Sequence, residues 1–368
     1  MFIIQEVIMY KMKMEMKSPF TTSFGTQYDR EFILVEVKDE NGLSGWGECV
    51  TSSLPLYSEE YTNTAWIFMK ECLIPLVVHQ QMNHPDEVFP KFEAYKGNYM
   101  AKSAVEGAIW DLYAKSKGTT LAKALGGSKQ HIESGISLGI QENTEDLLQS
   151  IKKNVDEGYK RIKVKIEPGR DVSVVKEIRK FFPDLPLMVD ANSAYTLDDV
   201  HIMKELDRYN LLMIEQPLTS GDLIDHATLQ QQISTPICLD ESIHCYREAR
   251  QAIELGSCKI INVKIGRVGG LTEAKRIHDL CKEHGIALWC GGMLESGVGR
   301  AHNIAIATLA NFTYPGDTAS SDRYWEEDVI SPLVEVHNGT IMVPQRPGIG
   351  YEVDLDIVNK YVVEKATF

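Results

Sequence analysis

Five charged residues close five short apolar runs at an almost constant interval. They are Lys165, Asp190, Glu215, Asp240 and Lys264, with steps of 25, 25, 25 and 24 residues (190 − 165, 215 − 190, 240 − 215, 264 − 240). Such an interval holds one strand, one helix and the loops between them. The runs are IKVKI, PLMVD, LMIE, ICLD and IINVK, with GISLGI before them and ALWCG after. They are apolar on both faces, as parallel strands covered by helices require. Helix signals lie between them. Thr196 with Asp199 has the form of a capping box with Asp in the acidic place. Gly158, Gly256 and Gly285 stand where helices end. The repeat predicts a TIM-type barrel, with a doubly wound open sheet as the competing architecture.

In a parallel barrel all five charged residues reach one rim, the rim where active sites of this fold lie. One charged residue at a strand end is usually a solvated loop residue, but five in the same phase imply a shared pocket. Three converging carboxylates repel one another unless a cation joins them. An all-oxygen donor set favours a hard ion, and Mg²⁺ suits a site that keeps room for substrate oxygens. The flanking lysines suit an anionic substrate. Lys163 and Lys165 are two apart and share a strand face. Like charges so close disfavour each other, which predicts a lysine of lowered pKa, the form a general base needs near neutral pH. Glu241 follows the third acid, and its side chain is expected to point away from a metal, with a contact to a lysine beside the metal as the alternative.

The flanking segments follow other patterns. Tyr10 to Lys17 alternates apolar and charged residues, a half-buried antiparallel strand. Strands over 32–37 and 45–50 flank an Asp39–Gly42 turn. Helices are predicted over 58–78 and 100–117, the second with Val105, Ile109, Leu112 and Tyr113 on one face. Residues 1–128 form an α+β domain in this reading, 129–320 the barrel, and 321–368 a C-terminal segment returning to the first domain. A hairpin with an Asn338-Gly339 turn is expected to pack on that domain.

Composition excludes other classes. The formal net charge is −14, which argues against nucleic acid and anionic membrane surfaces as partners. Seven cysteines occur without a C-x-x-C pair, and no signal-peptide layout or membrane-length apolar run is present. A cytoplasmic protein with reduced cysteines is expected. G-x-x-G-G at 266–270 is not a dinucleotide fingerprint, and neither a Walker A motif nor G-x-S-x-G occurs.

Several motifs together carry a family resemblance: K-V-K (163–165), D-A-N (190–192), I-E-Q-P (214–217), L-D-E-S (239–242) and N-V-K-I-G-R-V-G-G (262–270). With S-P-F-T-T-S-F-G-T (18–26) and the run at 291–307, they resemble the muconate-lactonizing subgroup of the enolase superfamily. Within it the chain is most similar to the o-succinylbenzoate synthase / N-succinylamino acid racemase family. The resemblance implies a (β/α)₇β barrel with an α+β capping domain formed by the N-terminal part and the C-terminal end. It implies Mg²⁺, with Mn²⁺ as a substitute, on Asp190, Glu215 and Asp240. Lys165 and Lys264 become acid/base lysines on opposite faces of the substrate, Lys163 tunes Lys165, and Asn192 faces the substrate beside the metal. Phe20 and Tyr57 belong to closing loops, Ser137, Gly292 and Met293 line the barrel end, and Arg267 resembles the racemase-capable branch. The expected partner is a small anionic carboxylate, in a homo-oligomer.

The resemblance implies a dehydration of 2-succinyl-6-hydroxy-2,4-cyclohexadiene-1-carboxylate to o-succinylbenzoate for menaquinone synthesis, through an ene-diolate. Racemisation of N-succinylamino acids is the alternative, using both lysines as bases. A catalytically silent ligand-binding barrel is the third reading, disfavoured by the intact lysines and acids.

Overall fold

The computed structural model describes all residues except Ser23, Phe24 and Glu142, and describes residues 20–22 by backbone alone. The N-terminal strands β1 (Phe2–Thr22), β2 (Gly25–Asp39) and β3 (Ser44–Cys49) form an antiparallel meander. Tyr10, Met12 and Met14 are buried, while Lys13 and Glu15 are exposed, so the alternation has the expected phase. Asp39 Oδ1 accepts from the amides of Asn41 and Leu43 and shapes the turn between β2 and β3. The C-terminal strand Val362–Thr367 pairs with the other side of β1, so the chain's end returns to this sheet.

Helix α1 (Thr62–Phe68) opens the first helical stretch, and helix α2 (Tyr99–Ser116) follows on the sheet. α2 differs from the one-faced helix expected from its sequence. It is buried nearly all round, and Lys102, Glu106 and Asp111 are buried with the apolar residues. The cause is its place between β3 and the barrel. The strand lies so close that a Cβ on Gly47 would sit 2.0 Å from the Ala104 carbonyl oxygen, and one on Gly45 2.2 Å from that of Ala108. On the other side the Glu106 carboxylate accepts from the amides of Leu271 and Thr272, each at 2.8 Å.

The barrel has seven consecutive parallel strands: β4 (Ile136–Leu138), β5 (Ile162–Lys165), β6 (Leu187–Asp190), β7 (Ile214–Glu215), β8 (Ile237–Leu239), β9 (Ile260–Val263) and β10 (Ala287–Cys290). The helices between them include α3 (Thr144–Asp156), α4 (Val172–Phe181), α5 (Val200–Leu206), α6 (Leu223–Gln230), α7 (Tyr246–Leu255) and α8 (Leu271–Glu283), with α9 (Gly297–Ala307) after β10. The Thr196–Asp199 capping box forms as read. Sequential order across one parallel sheet settles against the doubly wound alternative, which reverses strand order at a switch point.

The ring closes through a segment that carries little strand signal. Thr313 and Asp317 donate amides to the carbonyls of Leu288 and Cys290, each at 2.9 Å. On its other edge Gly316 donates to Glu133 O, and Gly135 donates to Gly316 O. Residues 312–317 therefore fill the gap between β10 and β4.

The Asn338-Gly339 turn forms, with His337 N donating to Thr340 O at 2.8 Å. It does not pack on the N-terminal domain as expected. Its outgoing arm Thr340–Met342 pairs with His131–Glu133, and Gly339 O accepts from Ser134 N. The exposed edge just before β4 offers open backbone groups, and the hairpin satisfies them there. All seven cysteines are free. Among the described residues no helix is long and apolar enough to cross a membrane.

Candidate active site

Register sets the height of each charged residue on the rim. Lys165, Asp190 and Glu215 lie abreast, since Lys165 pairs with Asp190 and Asp190 with Glu215. Glu215 faces Cys238, two residues short of Asp240, and Cys238 faces Ile260, four short of Lys264. The later residues thus climb the tilted strands, and Asp240 and Lys264 stand just past their strand ends. Asp190, Glu215 and Asp240 are each at most 1% exposed.

Buried carboxylates need compensating charge, and the lysines supply it. Lys165 Nζ lies 2.6 Å from Asp190 Oδ2, and Lys163 Nζ lies 3.2 Å from Glu215 Oε2 and 3.4 Å from Asp190 Oδ2. Lys264 Nζ lies 2.8 Å from Asp240 Oδ2, and Arg267 contacts the other oxygen of that carboxylate. Burial pushes the Asp190 carboxyl upward, but Lys165 and Lys163 outweigh it and hold the group well below the usual range. Glu215 goes the other way, raised by burial and by the neighbouring Asp190 charge.

Lys163 departs from the lowered pKa expected for two adjacent lysines. Burial does pull it down, yet Asp317, Glu215 and Asp190 outweigh that and hold the ammonium above its ordinary range. Asp317 is the largest of these three contributions. It sits on the ring-closing segment, with Oδ2 3.0 Å from Lys163 Nζ and Oδ1 2.6 Å from Arg161 Nη2. Lys264 is likewise raised: burial lowers it, but Tyr57, Glu241 and Glu215 more than offset this.

One cavity is lined by Lys163, Lys165, Asp190, Asn192 and Lys264, with Tyr57, Ser137, Gly292 and Met293 also on its wall. Asn192 adopts a left-handed backbone (φ 42°), a conformation Asn tolerates better than most residues. This lets its Oδ1 accept from Lys165 Nζ at 2.5 Å while Nδ2 donates to Glu241 Oε1 at 2.9 Å. Glu241 therefore turns toward the site and does not point away. Strand alternation no longer governs it, because β8 ends at Leu239. Tyr57 Oη lies 3.2 Å from Lys264 Nζ, with the ring centroid 4.9 Å from the ammonium. Phe20 lies outside the described side chains.

Arg267 is not on the cavity wall. It lies on the short turn after Lys264, 2% exposed, where it contacts Asp240 and donates to the carbonyls of Ile243 and Asn262. Sequence reasoning missed Asp317, which has no strand pattern around it. It also missed Gln216, whose Oε1 accepts from the amides of Asp240 and Ser242 and shapes the loop holding the third acid. The I-E-Q-P motif was its one signal. Arg30, Glu295, Arg300 and Tyr324 line the cavity as well, from segments outside the repeat.

The oxygen-only chemistry of Asp190, Glu215 and Asp240, on neighbouring strands, fits a hard divalent cation. Among the described residues no three acidic, His or Cys side chains are grouped tightly enough to hold an ion as they stand; the acids face lysines and an arginine. Glu241 Oε2 and Asn262 Oδ1 are buried beside them without a hydrogen-bond partner, leaving oxygen acceptors uncompensated at this end of the barrel.

The Mandelate racemase / muconate lactonizing enzyme N-terminal domain model matches residues 4–126, and the Enolase C-terminal domain-like model matches 146–357. The chain is 60% identical to an o-succinylbenzoate synthase of Geobacillus kaustophilus over 97% of its length and 96% of the relative's. It is 46% identical to an N-succinylamino acid racemase of Thermus thermophilus over 95% of this chain and 94% of that one. A crystal structure of an enolase superfamily member from Listeria innocua superposes with a TM-score of 0.98 at 43% identity, covering 100% of this chain and 99% of that one. With family models matching along most of its length, seven sequential parallel strands and an antiparallel sheet over them, the chain belongs to the enolase superfamily.

Proposed function

We propose that this protein is an o-succinylbenzoate synthase, dehydrating 2-succinyl-6-hydroxy-2,4-cyclohexadiene-1-carboxylate by removal of the proton next to its carboxylate. The observation that carries this reading is the shared cavity of Lys165 and Lys264, set on strands to either side of the three acids. Its support from relatives is the 60% identity to a synthase over nearly the whole chain.

The α-proton of a carboxylate is weakly acidic, and its removal places a second negative charge on the same group. Asp190, Glu215 and Asp240 would hold Mg²⁺, which when bound supplies electrostatic stabilisation of that charge. Lys165 takes the proton at its Nζ and returns it to the departing hydroxyl, on one face of the ring. Lys264 holds its ammonium against the developing oxyanion from the other face. Asn192 orients Lys165 through its Oδ1. Lys163, held in place by Asp317, would offer its ammonium to the substrate carboxylate. Tyr57 covers Lys264 and keeps water from it.

Racemisation of N-succinylamino acids is a second reading, favoured by the same pair of lysines and by the 46% identity to a racemase. Incubation of the cyclohexadiene substrate and of N-succinylamino acids in D₂O tests both. Dehydration with α-proton exchange supports the proposal. A protein that exchanges no α-proton of either substrate class is a binding barrel, and the proposal fails.

A further inference from the structure

Asp190 and Glu215 close β6 and β7, and Asp240 lies one residue past the end of β8. The ladder between β7 and β8 pairs Ile214 with Ile237 and Glu215 with Cys238, and so stops two residues short of Asp240. Gln216 takes over at that point. It follows Glu215 directly and is wholly buried, at 0% exposed. Its Oε1 accepts from the amides of Asp240 at 3.0 Å and Ser242 at 3.2 Å. Its Nε2 donates to Ser242 Oγ at 2.8 Å and to Leu218 O at 3.1 Å. Two backbone amides facing one atom identify that atom as the oxygen, and both acceptor and both donor positions of the group are used. The main chain of Gln216 bonds to both neighbouring strands' ends. Its carbonyl accepts from Ser193 N at 2.8 Å, on the loop after Asp190, and its amide donates to Cys238 O at 2.8 Å. One residue thus ties together the segments that follow all three acids.

The backbone there is held away from its preference. Gln216 has φ 37°, in the left-handed region that residues other than glycine seldom adopt. Such an outlier persists where the surroundings over-determine it, and outliers of this kind gather at functional sites. Glycine would adopt the conformation without strain, yet it would leave the amides of Asp240 and Ser242 without an acceptor in a buried loop. The acids themselves face lysines and an arginine, and a cation would turn their carboxylates. Gln216 fixes the main chain from which those side chains swing.

We infer that Gln216 is the positioning residue that sets the spacing of the three acids, and that it thereby selects Mg²⁺ over a larger divalent cation. This rests on the proposed metal role of Asp190, Glu215 and Asp240, and adds which residue makes that site size-selective. Mg²⁺ demands a near-ideal octahedron at about 2.0–2.1 Å, whereas Ca²⁺ takes oxygen ligands at about 2.3–2.6 Å in looser arrangements. Main chain held at one spacing penalises the larger ion, and slack removes that penalty.

The test titrates the melting temperature of the substrate-free protein with MgCl₂ and with CaCl₂ and reads an apparent affinity for each cation. The native protein should prefer Mg²⁺. Gln216→Met keeps the length of the side chain and removes the acceptor, and should lower the Mg²⁺/Ca²⁺ affinity ratio by about 10-fold or more. Gln216→Glu keeps an acceptor for both amides. Its added charge acts on both cations alike, so its ratio should stay within about 3-fold of native. Ser242→Ala removes one partner of the Gln216 amide group and leaves the acceptor in place. It should lower the ratio by a smaller factor, and it is the deciding variant where Gln216→Met does not fold. An unchanged ratio in the deciding variant, whether both affinities fall together or neither falls, would mean that Gln216 only supports the fold and would overturn the inference. A ratio that falls as far in Gln216→Glu as in Gln216→Met would overturn it too, since the acceptor would then not matter. A native protein that responds to both cations without preference overturns the size selection and leaves the metal reading standing. One that responds to neither overturns both.

Discussion

Asp317 Oδ2 and Lys163 Nζ are 3.0 Å apart, joining the segment that closes the barrel to the strand that carries the first lysines. Asp317 also holds Arg161, and burial would raise its carboxyl were it not for these two cations, which keep it well below the usual range. The pair thus closes the ring and, with Glu215 and Asp190, holds the charge on Lys163.

Asp317→Asn should leave Arg161 buried without its counter-ion and Lys163 with Glu215 and Asp190 alone. Breaking one side of a buried ion pair costs about 3–5 kcal/mol. Chemical denaturation should report a loss of that size, and kcat should fall with it even where the variant stays folded. Native stability in this variant would remove the pair from the account of the ring.

Asp190→Asn, Glu215→Gln and Asp240→Asn should each abolish dehydration, since each removes a charged oxygen donor. Addition of Mg²⁺ should raise the melting temperature of the native protein, by about 2.7 kcal/mol of stability at a hundredfold excess over Kd. The shift should shrink in all three variants. Full activity after exhaustive chelation is the contrary result.

Lys165→Ala should lose dehydration, as positioned acid/base catalysis contributes about 10²–10⁴-fold. Lys264→Ala should be impaired through lost charge stabilisation. With N-succinylamino acids in D₂O, each variant should lose racemisation and keep slow exchange of one enantiomer, with opposite enantiomers for the two. Exchange of the same enantiomer by both would contradict opposed faces.

Tyr57 separates into ring and hydroxyl. Tyr57→Phe keeps the ring over Lys264 and removes the oxygen 3.2 Å from its Nζ. Tyr57→Ala removes both and should cost about 1–3 kcal/mol in kcat/KM, varying with the acyl group. Steady-state kinetics should show the Phe variant closer to native. Equal losses in the two variants would place the whole effect in the hydroxyl.

Burial pushes the Glu106 carboxyl up to about 7 from its ordinary value of 4.5, against hydrogen bonds that pull it down. The native state therefore binds more protons than the unfolded chain between those values. Stability from this group is fully present below the unfolded pKa and is lost as pH rises through about 7. Glu106→Gln should flatten the fall in stability over that window by up to about 1.4 kcal/mol per pH unit. Denaturation midpoints at several pH values measure it, and parallel curves for native and variant would refute it.

Five of the seven barrel strands were legible because each carries a short apolar run that closes on a charged residue in the same phase. Asp317 was not legible, for its strand touches both neighbours through a few bonds and is interrupted by Pro315 and Gly316. Arg267 was named by resemblance alone, which carries no direction; its guanidinium reaches Asp240 and the carbonyls of Ile243 and Asn262. Arg30 belongs to an ordinary alternating strand, and only the folded contact with Met293 reveals its reach. The burial of α2 depends on a second packing partner, which no periodicity within one helix can announce.

The carboxylates at the starts of α8 and α9 belong to the other domain. Glu48 accepts from the amides of Ser296 and Gly299 at the start of α9, as Glu106 does at the start of α8. A helix start left without acceptors exposes several backbone donors. A fragment spanning the barrel strands alone would carry two such ends into solvent, beside an uncovered apolar face where α2 had lain. The barrel is therefore expected not to fold on its own. Heating should melt both domains in a single transition, and exchanging caps between relatives should succeed only when Glu48, Glu106 and the helix starts they serve travel together.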